Sequence, residues 1–197
     1  MSLINKNKWI IFFVFFSHCF SLENKVEPQA QIVELTSDQQ VLSWPSQIGL
    51  MYVGQWGYYV TFQNEGIRKD GSFKNWYTGP ANMHFDKDSY DYNLILHTVA
   101  GAISYGYFRG FGNSKGESLL LSTISQFMFE FTIETITEPP SVQDMYQTPV
   151  FGAVLGMGLE ESSLWLLNRQ SWAAKALGTL INPFTLMPAN AWQVHWV

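Results

Sequence analysis

The chain has 197 residues, the usual length of one domain and enough for a sizeable hydrophobic core. Its formal net charge is -5 and only 14% of its residues are charged, so the basic surface of a nucleic-acid-binding protein is missing and we expect no nucleic-acid partner. Aromatic residues make up 16% and include eight Trp, which fits either a membrane interface or a Trp-rich soluble core.

The N-terminus has the pattern of a secretory signal peptide. Lys6 and Lys8 precede an apolar run from Trp9 to Phe20, and a small residue follows. Because this run is short for a transmembrane helix, we predict that residues 1–21 are cleaved rather than kept as an anchor. Lipidation of Cys19 is the alternative. The signal predicts an exported protein of the periplasm, and cleavage removes the only cysteine.

The remaining chain divides into three parts. Residues 22–42 are polar and aperiodic and indicate a linker, residues 43–190 form the predicted helical domain, and residues 191–197 alternate like the start of a strand. Within the domain, residues 43–63 combine an alternating apolar pattern with a stripe of small residues at helical spacing, and we favour a helix. Residues 64–89 are rich in Gly, Asp, Asn and Pro and predict a long exposed connection.

Two long helices are predicted next. The first is capped by Asp88 or Ser89 and ends at about Arg109, before two glycines. The second extends from Ser118 to Glu138, after a capping box at residues 114–117 and before two prolines. It is apolar nearly all round, which indicates burial in protein or lipid. It carries one polar residue in every four: Ser118, Ser122, Gln126, Glu130, Glu134 and Glu138. Steps of four drift about 40° round an α-helix, so only Gln126, Glu130 and Glu134 share one site.

A third long helix follows. Ser141 and Asp144 start a turn, and Thr148-Pro149 predicts a fresh helix that runs to about Asn168. A short helix around residues 171–179 follows. The short connections predict that successive helices are antiparallel neighbours.

The fold prediction is mainly α: a compact bundle of about four to five helices, membrane-associated or with a very apolar core. Gly101, Gly152 and Gly156 lie on four-spaced stripes that allow close approach of helix backbones. No helix has 18 uncharged apolar residues, so half-embedded or interfacial helices are favoured over a polytopic bundle.

Polar residues on these helices form the candidate site, and we take as candidate catalytic residues His97, Tyr105, Arg109, Glu130, Glu134 and Asp144. In the functional interpretation, His97 or a glutamate is a general base and Arg109 binds an anionic group such as a lipid phosphate. In the alternative, Arg109 pairs with Glu134 or Glu130 and His97 donates to a carboxylate, so that the network is structural.

Neither a metal nor a cofactor is predicted. His97 with Glu130 and Glu134 is the weak metal alternative, because no Glu-x-x-His or His-x-x-x-His spacing occurs. Asp144 is most simply an acid that complements the helix dipole, and Glu160 and Glu161 are expected to face solvent.

The order and spacing of these residues resemble a bacterial cell-envelope family known only as a domain of unknown function. The resemblance covers roughly residues 93–183 and is carried by His97, Gly101, Tyr105, Arg109 and Gly112, by Glu130, Glu134 and Glu138-Pro139-Pro140-Ser141, and by Asp144, Thr148-Pro149, Gly152 and Gly156. Thr98 and Met157 depart from it, since the family has Pro and an acid there. Longer members have a C-terminal outer-membrane β-barrel, which we do not expect in this chain. The resemblance implies an envelope location at the outer membrane and no particular activity.

We therefore expect an exported, membrane-associated envelope protein of unknown activity, with membrane lipid and possibly an envelope protein as partners. Its buried polar cluster serves structure or partner packing. The alternative is a small enzyme that acts on a lipid or other amphiphile by acid–base chemistry, with His97 and Glu130 or Glu134.

Overall fold

A computed structural model describes residues 42–85, 89 and 92–187 of the chain. The predicted signal peptide, nearly all of the linker, the Asp88 cap and the tail at residues 191–197 lie outside these residues. The described part is almost entirely helical and contains seven α-helices and no strand, so the prediction of a mainly α fold is confirmed. The helix number exceeds the expected four to five because the predicted connection is itself partly helical.

The first helix, α1, is Trp44–Phe62, and Pro45 lies in its first turn. The helix predicted for residues 43–63 is therefore confirmed. The connection predicted after it is exposed along most of its described length, as expected, but much of it is helical: the chain forms α2 (Asn64–Asp70), α3 (Phe73–Thr78) and a 3-10 turn at Gly79–Ala81. These short helices have local supports, because the Ser72 hydroxyl accepts the Asn75 N–H at the start of α3.

Of the next two helices, the first ends where predicted and the second begins where predicted. Helix α4, His97–Gly110, follows a π-helical turn at Tyr92–Leu96 and ends as predicted, with Gly112 at a positive φ of 86°. Helix α5, Lys115–Met128, begins at the predicted capping box. It continues into a π-helical turn, Phe129–Ile133, and a 3-10 turn, Glu134–Ile136, so the regular α-helix expected to reach Glu138 stops almost three turns early, at Met128.

Helix α6 is a single helix, Val142–Leu167, and α7 is Trp172–Ile181. The fresh helix predicted at Thr148-Pro149 is wrong, because Ser141 already caps α6 by accepting the Asp144 N–H. Pro149 lies inside α6 and is buried. Its missing N–H removes one backbone hydrogen bond, but tight packing of α6 on α4 at this level keeps the helix continuous.

Helices α1, α4, α5 and α6 run alternately between two ends of the bundle. At one end, here called the near end, the Trp44 indole donates to Asn113 and Lys115 pairs with Glu161. At the other, the far end, the Tyr59 hydroxyl contacts Thr137 and the 130–141 turns meet the start of α6. Successive long helices are thus antiparallel, as predicted, whereas α4 and α6 are parallel.

The parallel pair α4 and α6 is held in close contact by glycines. A Cβ on Gly101 would lie 1.8 Å from the Thr148 carbonyl oxygen, and one on Gly152 would lie 2.4 Å from the Gly101 backbone. A Cβ on Gly156 would lie 2.6 Å from the Tyr105 ring. The packing role predicted for these glycines is confirmed, and it fixes the register of the two helices.

Candidate functional site

At the near end, the contact between helices α4 and α6, here called the α4–α6 seam, contains a buried ion pair. The Arg109 side chain is 0% exposed and that of Glu160 is 2% exposed. Arg109 Nη2 lies 2.8 Å from Glu160 Oε1, and Nε lies 3.1 Å from Oε2, so the guanidinium donates two hydrogen bonds to the carboxylate as a bidentate pair. The Tyr105 hydroxyl donates to Glu160 Oε2 at 3.3 Å, and the pair is thereby connected to the middle of α4.

Amide side chains extend this pair to α1. Arg109 Nη1 donates to the Asn113 carbonyl, and the Asn113 side chain donates to Gln47 Oε1 at 2.6 Å. The Trp44 indole donates back to Asn113 Oδ1 at 3.1 Å. Gln47 and Asn113 are both fully buried. We call Gln47, Tyr105, Arg109, Asn113 and Glu160 the Arg109 cluster, and it joins three helices through groups that satisfy one another.

The partner of Arg109 differs from the sequence prediction. Glu130 or Glu134 was the expected acid, and the structure instead pairs Arg109 with Glu160, which was expected to face solvent. Glu161, by contrast, is exposed as predicted. Because Arg109 is buried and holds Glu160, its guanidinium is not open to an anionic ligand. This corrects the predicted anion-binding role.

A signal for Glu160 exists in the sequence. The stripe of His97, Gly101, Tyr105 and Arg109 on α4 has the same spacing as Thr148, Gly152, Gly156 and Glu160 on α6. His97 contacts Thr148 and Arg109 contacts Glu160, each across 51 residues, so the two stripes lie side by side in one register. Matching the stripes as parallel partners identifies Glu160, whereas the assumption that only sequential helices pair does not.

At the far end the carboxyl groups of Glu130, Glu134 and Asp144 gather, and we call them the carboxyl cluster. Gln126 Nε2 donates to Glu130 Oε1 at 2.8 Å, and the Ser141 N–H donates to Glu130 Oε2 at 3.0 Å. Glu134 lies within hydrogen-bonding reach of Glu130. The prediction that Gln126, Glu130 and Glu134 share one site is confirmed. The π-helical turn preserves the alignment, since its longer repeat removes the drift of steps of four.

Burial and mutual repulsion perturb the protonation of this cluster. Burial raises the pKa of Glu130 to about 7, although the Ser141 N–H and the Gln126 amide act in the opposite direction. Burial also raises the pKa of Glu134 well above its ordinary value, and the negative charges of Glu130, Glu138 and Asp144 act in the same direction. Two carboxyl groups this close hold a proton between them near neutral pH.

His97 borders the carboxyl cluster. Its Nδ1 lies 3.1 Å from the Thr148 hydroxyl and 3.7 Å from Asp144 Oδ1, and its side chain is 14% exposed. Thr148 and Asp144 approach the same ring nitrogen, whereas a nucleophilic triad needs its hydroxyl and its carboxylate on opposite nitrogens. The arrangement is therefore unsuited to activating Thr148 and suited to proton transfer between the imidazole and a carboxyl group.

The six predicted site residues thus form two groups. His97, Glu130, Glu134 and Asp144 meet at the far end, while Tyr105 and Arg109 belong to the Arg109 cluster. Arg109 lies twelve residues after His97, which is about 18 Å along α4, so one substrate atom cannot reach both groups. Within the described residues, no three His, Cys, Asp or Glu side chains are placed to hold a metal ion.

In comparisons with curated proteins and with solved structures, no match to this chain is found. A family model described as a domain of unknown function (DUF3943) does match, over residues 82–184. The match contains both groups of site residues apart from Gln47, and it covers just over half of the chain. The expected kind of family is thereby confirmed, while its envelope location stays a prediction. The chain belongs to the DUF3943 family, a domain of unknown function.

Proposed function

We propose that this protein is a helical domain of the cell envelope that is exported to the periplasm and associates with the outer membrane. In this proposal its outer helix faces contact lipid, and its buried polar clusters hold the helices together. The predicted signal peptide and the envelope resemblance support the location. The exposed apolar side chains on the surface of the bundle support contact with lipid.

Apolar side chains cover the exposed faces of all four long helices. This surface, which we call the apolar belt, includes Val53, Ile103, Leu120, Ile124, Val150 and Val154. Val53 and Val154 are each 68% exposed. A soluble monomer rarely exposes a continuous apolar patch of more than a few hundred Å², whereas here such residues recur on every side of the bundle. Burial of this surface in lipid removes it from water.

Charged residues within the long helices avoid the belt. Helix α1 contains no Asp, Glu, Lys or Arg in its 19 residues. Arg109, Glu130, Asp144 and Glu160 are all buried. The exposed charges of α5 and α6 lie near the ends of the bundle, as the Lys115–Glu161 pair does. The bundle therefore has polar groups inside and apolar groups outside, an arrangement that favours a lipid solvent.

Membrane association is tested by fractionating cells that express the full chain. We expect the protein to stay in the membrane pellet after high salt and alkaline washing and to be released by detergent, because apolar contact rather than charge holds it. N-terminal sequencing of the pelleted protein should find a start near Leu22. A monodisperse monomer in buffer without detergent would contradict the proposal.

A second candidate function is acid–base catalysis on an envelope lipid or other amphiphile. The observation that favours it is the partly exposed His97 imidazole beside Asp144, next to carboxyl groups with raised pKa. Arg109 is not part of this candidate site because it is buried with Glu160.

Replacing His97 by Ala, with comparison of thermal stability and envelope lipid composition, tests this second function. Catalysis predicts altered lipid composition in a variant that remains folded. A folded His97→Ala variant with unchanged lipids would contradict it, and His97→Gln, which keeps a hydrogen-bonding group near Thr148, controls for lost packing.

A further inference from the structure

We infer that the bundle crosses the bilayer, with the apolar belt in the hydrocarbon and the near and far ends at opposite membrane surfaces. This inference rests on the proposed membrane association and adds its geometry. It differs from the half-embedded or interfacial placement that the sequence favours.

The length of the helices matches the bilayer. The 19 residues of α1 extend about 28 Å at 1.5 Å per residue. The segment of α6 from Val142 to the exposed Glu161 has about the same length. The hydrocarbon core of a bilayer is about 30 Å thick. A bundle lying flat would instead bury one side and leave the apolar faces of the other side in water.

Charged and aromatic residues mark both ends of this segment. Lys115, Glu161 and Arg169 lie at the near end, where Trp165 is exposed and Arg169 stacks on its ring. At the far end, α2 and α3 carry Arg68, Lys69 and Lys74, and the exposed Trp76 donates its indole N–H to the Thr132 carbonyl. Tryptophan and basic residues are typical of both membrane–water interfaces.

Hydropathy along the sequence detects little of this geometry. Among the described residues, only α6 has the length and composition of a membrane crossing, and 39% of its apolar window is buried in the bundle. The charges that interrupt the other apolar segments, Arg109 and Glu130, point into the protein. Only the outward faces contact lipid, and those faces between the two ends are free of charge in the described helices.

Impermeant thiol labelling in sealed vesicles tests the inference. In the full chain with Cys19→Ser, cysteines are introduced at Lys74 on the far end and at Glu161 on the near end. The protein is reconstituted into sealed vesicles, and a membrane-impermeant maleimide is then added outside. A crossing bundle gives one label per molecule by mass, whichever way it inserted, and two after detergent. Molecules with none or two labels in intact vesicles would overturn the crossing.

A single Val154→Cys variant separates this result from the proposed association itself. Val154 is central in the belt. We therefore expect no labelling of Val154→Cys in intact vesicles if the belt is in lipid, whether or not the bundle crosses the membrane. If Val154→Cys is protected but the variant with cysteines at Lys74 and Glu161 carries none or two labels, the crossing is overturned and the membrane association stands. Rapid labelling of Val154→Cys in intact vesicles overturns both. Glu65→Cys, an exposed position at the far end, controls for general thiol reactivity.

Discussion

Two neighbouring glutamates show how differently the same residue type acts in this fold. Glu160 is buried and holds Arg109, whereas Glu161 is exposed and pairs with Lys115 at the surface. The sequence places both at the end of one helix and gives no local reason to separate them. Their difference arises from the rotation of one residue, about 100°, which turns Glu160 toward α4.

Glu160→Gln is predicted to destabilise the protein by about 3 to 5 kcal/mol, because it leaves the Arg109 charge buried without its counter-ion. Glu161→Gln, the matched control, should cost at most about 1 kcal/mol. Chemical unfolding in detergent, followed by circular dichroism, measures both. If Glu160→Gln does not fold, the double change Arg109→Met with Glu160→Met should recover much of the stability, since it removes both charges. Equal effects at the two positions would contradict the buried pair.

The carboxyl cluster makes stability depend on pH. The folded protein raises the pKa of Glu130 from 4.5 to about 7, so the folded state holds the proton more tightly than the unfolded chain does. The resulting stabilisation is fully present below about pH 4.5 and is lost as pH rises through about 7. We therefore expect the Tm in detergent to fall between about pH 5 and about pH 8, equivalent to about 3 kcal/mol at most.

The Glu134→Gln variant tests whether the dependence of Tm on pH comes from the carboxyl cluster. An amide keeps a donor beside Glu130 without an ionisable proton, so the Tm of this variant should change less with pH. Glu65→Gln, at an exposed position of α2, should keep the full slope. A slope that is the same in Glu134→Gln and in the unmodified protein contradicts a shared proton.

At the scale of elements, the seam between α4 and α6 depends on glycines that leave no space for a methyl group. We predict that Gly152→Ala destabilises the protein by about 1 to 3 kcal/mol, because its Cβ would lie 2.4 Å from the Gly101 backbone, which cannot move aside. Gly158→Ala in the same helix is the control. Nothing lies within 4 Å of its Cβ, so it should be neutral or stabilising by about 1 kcal/mol. A similar unfolding midpoint for the two variants would contradict this packing.

Local chemistry explains which elements were predictable. The Ser114–Glu117 capping box and the Gly110–Gly112 stop depend on neighbouring residues only, and both were predicted correctly. Pro149 was misread because a proline at the first helical position and a proline held inside a helix by packing have the same local sequence. The short helices α2 and α3 were missed because the Gly, Asn and Asp residues in and beside them also suit turns.

Long-range partners were less predictable than helices. Gln126, Glu130 and Glu134 were grouped correctly, because helical geometry alone brings them together. The separation of Arg109 from this group was missed, because it depends on α4 and α6 being parallel neighbours. That arrangement is a property of the whole bundle, which no single helix encodes.

At the scale of the whole molecule, the bundle has the inverse of a soluble surface. In the described helices the charged side chains are buried in two clusters or collected at the ends, and the outward faces are apolar. Under the proposed membrane association, lipid contact gives little preference for one helix arrangement over another, and the two buried clusters supply the specific connections between helices. The proposed function follows from this distribution rather than from any one residue.

The depth of Val154 in reconstituted membranes tests this central claim most directly. A nitroxide attached to Val154→Cys, in the full chain with Cys19→Ser, reports its exposure to oxygen, which dissolves in lipid, and to a nickel chelate, which stays in water. We predict relaxation by oxygen and little by the chelate, with the reverse preference for a nitroxide at Glu161→Cys. Strong relaxation of the Val154 nitroxide by the nickel chelate would place the apolar belt in water and contradict the account.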